Sequence, residues 1–192
     1  MENKMAPKIK VTKKDIIETA IELIRKNGEG TLNARNIAAA LNCSTQPIFS
    51  NFMTMEELQS EVLNSIYEKY LGFLDKEANS GKYPQYKAYG MAYIRFAKEE
   101  KELFKLLFMR DRTGEKMAYS SDFEKSVEMI MKSNGVNEDT ANLMHLEMWS
   151  CVHGIGTMLA TSFFELDWDK IGNILTDVYQ GIRAKHVSEE NK

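Results

Sequence analysis

From Thr12 onward the apolar residues recur at steps of three and four. Ile16, Ala20, Leu23 and Ile24, with Ile17 and Ile21 beside them, form one broad stripe, the signature of an amphipathic helix with one face in a core. Thr12 and Asp15 can cap its start reciprocally, and Gly28 ends it just after Arg25 and Lys26. A helix of about two turns follows from Asn33, a good N-cap, through Ala34, Arg35, Ile37, Ala38 and Leu41. Asn42, which readily takes a left-handed turn, precedes a third short helix capped by Ser44 with Ile48 and Phe52 on one face. Thr54 and Glu57 then open a long helix in which Leu58, Val62, Ile66, Tyr70, Phe73 and Leu74 repeat, up to a break at Asn79, Ser80 and Gly81. Further helices are expected near 84–99, 101–110, 121–133, 138–164 and 168–185. No strand-like alternation and no internal repeat stand out, so the predicted fold is all-α.

Composition agrees. The chain has 192 residues, enough for a real core, and its 11 Gly and 3 Pro leave little punctuation for a β-rich protein. Cys43 and Cys151 are too few for a disulfide framework and belong to no zinc-like cluster, which suits a reducing cytoplasm. The longest uncharged run, Met148 to Phe164, contains Ser150, His153 and Thr157 and reads as a buried helix, so no membrane span is expected. There is no apolar segment behind the N-terminal lysines that would make a secretory signal.

The net charge of -3 argues at first against nucleic acid, but its distribution reverses that. Residues 1–55 hold eight Lys/Arg against five Asp/Glu, a balance of +3, and the remainder holds 17 against 23, a balance of -6. Five of the eight bases, Lys4, Lys8, Lys10, Lys13 and Lys14, lie in the first 14 residues. They make either a solvated tail or an arm that reaches phosphates.

Two short helices joined by a tight turn, inside a three-helix N-terminal unit, make a helix-turn-helix at about 33–52. With Ile48 and Phe52 turned to the core, Thr45, Gln46, Phe49, Ser50 and Asn51 cover the other surface of the second short helix. Gln can pair with adenine through two hydrogen bonds, Ser and Thr reach bases or phosphates, and an aromatic ring packs on a thymine methyl. Asn33, Ala34, Arg35, Ser44 and Lys10 complete the candidate DNA-contacting set.

Residues from about Lys10 to Leu63 resemble the DNA-binding domain of the TetR family of bacterial transcriptional regulators. Thr31 to Leu41 has the polar cap followed by the Ile37–Ala38 pair, and Ser44 to Leu58 follows the serine, small residue, aromatic, Phe and Glu-Glu-Leu pattern. The resemblance implies a DNA-binding domain at 1–55 and an effector-binding and dimerisation domain at 56–192. It implies a repressor that grips double-stranded operator DNA as a homodimer and is released by a small hydrophobic effector. Phe49, Asn51 and Met55 stand where the family often has Tyr, His and Lys, each change removing a group that reaches phosphates. The lysine arm and the N-termini of the second and third helices are expected to compensate.

In the C-terminal part, Ala141, Met144, Met148, Val152, Ile155 and Leu159 make one face of a long helix, and His145, Trp149, His153, Gly156 and Ala160 another. Trp168, Ile171, Ile174, Leu175, Val178 and Ile182 stripe the last helix. By the resemblance these two helices pair with their copies in the homodimer, and Trp149, His153 and Gly154 are similar to the W-H-G signature of one C-terminal subfamily. His145 and His153 are eight residues apart, roughly 12 Å along a helix, too far to share a metal ion; hydrogen-bonded core histidines are the better expectation. His186 falls in the polar tail. Candidate effector-pocket residues are Tyr89, Tyr93, Phe96, Phe104, Phe108, Phe123, Met144, Trp149 and His153, with Met91, Leu107 and Met129 nearby; twelve methionines suit an adaptable apolar cavity. No P-loop, G-x-S-x-G or H-E-x-x-H motif is present, so no enzyme activity and no cofactor are implied. The competing class is a helical ligand-binding or adaptor protein that keeps the fold without operator binding.

Overall fold

A computed structural model describes residues 11–113 and 120–190, with the last two of these by backbone alone. Among the described residues the chain forms α1 (Lys13–Asn27), a 3-10 turn (Glu29–Thr31), α2 (Ala34–Ala40), α3 (Gln46–Asn51), α4 (Met55–Ala78), α5 (Gln85–Glu99), α6 (Lys101–Phe108), α7 (Ser121–Asn134), α8 (Glu138–Ala160) and α9 (Trp168–Glu190). The fold is all-α, as the periodicity predicts. It divides into two compact units, Met1–Ile66 and Tyr67–Lys192, with the boundary inside α4.

The first unit is built by caps and a small aliphatic core. Thr12 and Asp15 form the expected reciprocal cap, the Thr12 amide donating to Asp15 Oδ2 at 2.8 Å and the Asp15 amide to Thr12 Oγ1 at 3.2 Å. The Thr12 hydroxyl, which donates to Asp15 Oδ2 at 2.7 Å, and with it the Thr12 amide hold the Asp15 carboxyl below its ordinary pKa. Ile16, Ala20, Ile21 and Ile24 of α1 are buried with Ile37 and Ala38 of α2, Ile48, Phe52, and Leu58, Val62 and Ile66 of α4. Between α2 and α3, Asn42 sits at φ 51°, the left-handed conformation its side chain tolerates. The Cys43 amide closes the turn onto the Ala38 carbonyl at 3.0 Å.

The start of α3 differs from expectation. Thr45, not Ser44, takes the cap position, and no side chain caps it. With Thr45 at the cap, Pro47 is the second helical residue, where its missing N–H has no intrahelical partner to lose. With Thr45 capping, Ile48 is third, and its amide reaches the Thr45 carbonyl at 3.1 Å. At the start of α4 the Glu57 amide donates to Thr54 Oγ1 at 3.2 Å, and Glu57 Oε2 accepts from the Met53 amide at 2.6 Å.

In the second unit α5 packs against α6, α7, α8 and α9. Ala88, Met91, Ala92, Tyr93, Ile94, Phe96 and Ala97 are all buried on it. Two glycines permit this crowding. A Cβ at Gly156 of α8 would lie 3.1 Å from Phe104 Cζ and 3.3 Å from Tyr93 Cε1; one at Gly90 of α5 would lie 3.3 Å from Leu175 Cδ1 and 3.4 Å from Val152 Cγ2.

Helix α8 stops at Ala160 rather than near 164. Ser162 turns left-handed at φ 56°, with the Ser162 and Phe163 amides bonded back to Leu159 and Met158 carbonyls and the Thr161 hydroxyl on the Thr157 carbonyl at 2.7 Å. Apolar character continues through Phe163 and Phe164, but both are exposed, so it is no guide to the end of the helix. In contrast α9 outruns its expected end, and His186 is not in a free tail. It is buried, with Nε2 2.9 Å from Glu147 Oε2 of α8.

Two glycine substitutions should separate packing from propensity. Gly156→Val should destabilise the protein by about 1–3 kcal/mol through overpacking. Gly72→Ala, on an exposed turn of α4 with nothing within 4 Å, should stabilise by up to about 1 kcal/mol. Urea unfolding of the three proteins measures both signs.

Candidate DNA-reading helix and aromatic core

On α3, Gln46, Phe49 and Ser50 are exposed, with Ser44 exposed ahead of the helix and Thr45 and Asn51 half-buried at its two ends. Phe49, half exposed at 50%, has no place in the core its neighbours Ile48 and Phe52 fill. Ser50 Oγ donates to the Gln46 carbonyl at 2.9 Å, which leaves its lone pairs outward. Asn51 is turned inward, Nδ2 donating to the Pro47 carbonyl at 2.7 Å and to the Val11 carbonyl at 3.4 Å. On α2, Asn33 Oδ1 caps the Asn36 amide at 2.9 Å, Ala34 is buried, and Arg35 is exposed. Lys10 and the rest of the first ten residues lie outside the described residues. Met53, directly after α3 and 89% exposed, joins this surface unannounced: a lone methionine after a helix carries no periodic signal.

The candidate effector residues fall into two aromatic groups rather than one. In the first, Tyr93 is the centre, with ring centroids 4.8 Å from Phe108, 5.3 Å from Phe104 and 5.9 Å from Tyr70. Phe96 joins through Tyr70 at 5.5 Å and Phe73 at 5.3 Å. The Tyr93 hydroxyl is 2.7 Å from His153 Nδ1, and the His153 ring lies between Phe104 at 6.0 Å and Trp149 at 4.8 Å. Trp149 is the group's outer member, 37% exposed.

In the second group, Phe123 packs edge-on to His145 at 4.4 Å, and the Tyr86 hydroxyl is 2.9 Å from His145 Nδ1. Tyr86 also meets Tyr179 at 5.5 Å. Phe123 packs here with a cluster made by Met144, Val127, Ile130, Val136 and Ala141. Phe123 and Met144 are thus separated from Phe104 and Phe108, with which the sequence pattern groups them. Tyr67, Tyr70, Phe73, Tyr86, Tyr179 and His145 are additions to the candidate effector set; Tyr67 and Tyr70, three apart on α4, and the Tyr86–Tyr93 spacing on α5 are the available signal.

One carboxylate serves the first group. Asp122, in the first turn of α7, accepts from the Tyr67 hydroxyl at 2.5 Å and the Tyr70 hydroxyl at 3.1 Å. Burial, aided by Asp122, pushes the Tyr67 phenol up to about 12 and Tyr70 well above its ordinary value. Tyr89, half-buried, is raised by burial and by the Asp75 and Asp122 charges. Burial pushes the two histidines the other way, His153 downward and His145 down to about 4. Both are therefore neutral at pH 7. Each lies within hydrogen-bond distance of a tyrosine hydroxyl through Nδ1. Glu147, near both in sequence, is turned instead to His186 and Lys185. Among the described residues no group of three His, Cys, Asp or Glu side chains converges as a metal site.

The first unit thus carries a helix-turn-helix, and the second is all-helical with an aromatic interior. Residues 86–179 match the family model described as tetracyclin repressor-like, C-terminal domain. A solved structure of a member of the TetR family from Streptomyces coelicolor A3 superposes with TM-score 0.58, at 14% identity, covering 86% of this chain and 96% of that one. No curated protein matches the chain. Residues 86–179 are thus tetracyclin repressor-like and the chain has the fold of a TetR-family structure, which together support the TetR family and, in general terms, a transcriptional regulator. Among the described residues no helix is long and apolar enough to cross a membrane.

The depressed His145 has a measurable consequence. Its folded pKa of about 4 lies below the unfolded value near 6.5, so the unfolded state binds the extra proton first. Stability is therefore full above pH 6.5 and is lost as pH falls toward 4, by about 3 kcal/mol from this group. Urea unfolding between pH 7.5 and pH 4.5 should show a shallower pH dependence for His145→Gln than for the wild type.

Proposed function

We propose that the protein is a sequence-specific DNA-binding regulator of the repressor type, in which residues 1–55 grip operator DNA and residues 56–192 bind an effector and dimerise. The observation that carries the DNA reading is the exposed run Gln46, Phe49 and Ser50 on α3, held outward by a left-handed Asn42 turn on one side and buried Ile48 and Phe52 on the other. A structural helical corner has no need of that polar face. Gln46, with both amide atoms free to meet adenine, is the principal base reader; Arg35, Ser44, Thr45 and Ser50 supply phosphate or base contacts. The net positive charge of residues 1–55 supports the same assignment.

Dimerisation is assigned to α8 and α9. Leu143, Leu146 and Trp149 are exposed along one side of α8 and Ile174 on α9, and Gly154 and Gly181 have open space where a Cβ would stand. A second copy of the same pair would cover this apolar strip and approach closely over the glycines. The effector is assigned to the Tyr93-centred group, a largely apolar lining with the hydroxyls of Tyr67, Tyr70 and Tyr93 to orient a small hydrophobic molecule. Its binding would release the operator, inside the cytoplasm.

Binding to the DNA upstream of the protein's own gene, read by gel shift, tests the regulator assignment; no bound fragment there or in a random-site selection defeats it in favour of a ligand-binding protein without an operator. On a bound fragment, Gln46→Ala should relax preference at one base pair, costing about 1–3 kcal/mol there. A uniform loss over a panel of operator variants would remove Gln46 from that role. Leu146→Glu, which sets a charge in the apolar strip, should convert a dimer into a monomer in sedimentation velocity while leaving the helical content unchanged.

A further inference from the structure

We propose that the tyrosine-rich side of the second unit holds a site for an organic amine, whose ammonium group sits at Asp122 while its apolar body lies against the rings beside it. The inference rests on the effector assignment above and names the chemistry of the molecule taken there. Asp122, half-buried in the first turn of α7, has one phenol on each carboxylate oxygen: the Tyr67 hydroxyl donates to Oδ1 at 2.5 Å and the Tyr70 hydroxyl to Oδ2 at 3.1 Å. Both phenols keep their protons at neutral pH, since burial pushes Tyr67 up to about 12 and Tyr70 well above its ordinary value. They supply hydrogen bonds but leave the negative charge in place. A charge drawn out of water calls for a partner of opposite sign.

The protein itself supplies none. Among the described residues no Lys, Arg or His forms an ion pair with Asp122. Arg112 acts on the Tyr93 phenol, yet its guanidinium is bonded to the Leu107 carbonyl. His145 feels the Asp122 charge, but burial keeps its imidazole neutral at pH 7. The N-terminus of α7 offsets only about half a unit charge. A second carboxylate, Asp75, deepens the field, because it and Asp122 both bear on the half-buried Tyr89. The hydrogen-bonding character points the same way. With their protons committed to Asp122, the Tyr67 and Tyr70 oxygens have only lone pairs left to offer, and Ser120 and Ser121 beside the Tyr67 phenol can turn a hydroxyl oxygen to a donor. An anion would meet like charge here, and an alcohol would leave the charge uncompensated. An ammonium group answers both the charge and the surplus of acceptors. The Tyr67 and Tyr70 rings, 5.9 Å apart, offer apolar contact next to it. Tyr67, Tyr89 and Asp122 are all half-buried, so the charged end is reachable from solvent while Tyr70 lies behind it, 3% exposed.

The test uses three probes that share one apolar body and differ in charge: 4-phenylbutylamine, 4-phenylbutanol and 4-phenylbutyrate. Each is titrated by calorimetry at neutral pH into the full-length wild type, Asp122→Asn and Tyr67→Phe. The wild type should bind the amine about tenfold or more tightly than the alcohol, the effect of one hydrogen bond between charged groups, and should bind the butyrate least. Asp122→Asn should lower the amine to the level of the alcohol and leave the alcohol unchanged. Tyr67→Phe, which keeps the ring and the carboxylate, should reduce the amine's advantage severalfold without removing it. Equal binding of amine and alcohol by the wild type, a preference for the butyrate, no binding of the amine, or an undiminished amine preference in Asp122→Asn overturns the proposal. The charge series on the wild type decides it alone if Asp122→Asn folds poorly. Adding each probe to the DNA fragment in the gel shift separates this inference from the effector reading. Release of the fragment by amine and alcohol alike, with no difference in their affinities, sinks the amine site and leaves the effector reading standing. Tight, Asp122-dependent amine binding with the fragment still held keeps the amine site and defeats the effector reading.

Discussion

The second unit depends on how closely α5 approaches its neighbours. A helix that touches four others cannot carry bulky side chains all round, and α5 meets this with Ala88, Gly90, Ala92 and Ala97 among its larger residues. The opposing surface has Gly156 at the point of closest approach to Tyr93, Ala97 and Phe104. Small residues at the crossings let the large rings interlock between them instead of holding the helices apart. Tyr93 can then touch Tyr70, Phe104, Phe108 and His153 together, and the pKa shifts, ring stacking and ligand assignment all follow from that crowding.

Much of this is legible in the sequence, for a physical reason. Helices are local, and the spacing of Ile16, Ala20 and Ile24 or of Leu58, Val62 and Ile66 writes the buried face directly; every one of those residues is buried. What is not legible depends on single hydrogen bonds or on contacts between distant segments. The cap of α3 falls at Thr45, one residue after Ser44, and the left-handed Ser162 stops α8 inside an apolar run. His186 looks like tail because its partner, Glu147, is 39 residues away. The aromatic candidates all lie in the helical second unit. They divide into two groups because helical period gives the face a residue is on, not which neighbour that face meets.

The two units are recognised on different grounds. The tetracyclin repressor-like match, residues 86–179, lies wholly in the second unit, while the residues assigned to DNA lie in the first. The first unit rests on its own chemistry: a capped short helix, a left-handed asparagine, and a recognition helix whose polar side chains are outside because the apolar ones are needed within. Residues 1–55 carry the +3 balance, and Glu56, Glu57 and Glu61 bring the first unit as a whole to neutrality, so its fitness for phosphates depends on where the cations stand rather than on net charge.

The paired tyrosines and histidines bear on how the second unit moves. Tyr86 meets His145 and Tyr93 meets His153, so along this contact α5 and α8 ascend in the same direction, with seven residues between rungs on one helix and eight on the other. A single rung would still allow α5 to swivel about it; two, about 10–12 Å apart by helical rise, act as dowels that fix both angle and offset. A slide of one helical turn, about 5.4 Å, would part both imidazoles from their phenols at once. The two rungs therefore oppose a sliding of α5 along α8 together, where either alone would oppose it at one point.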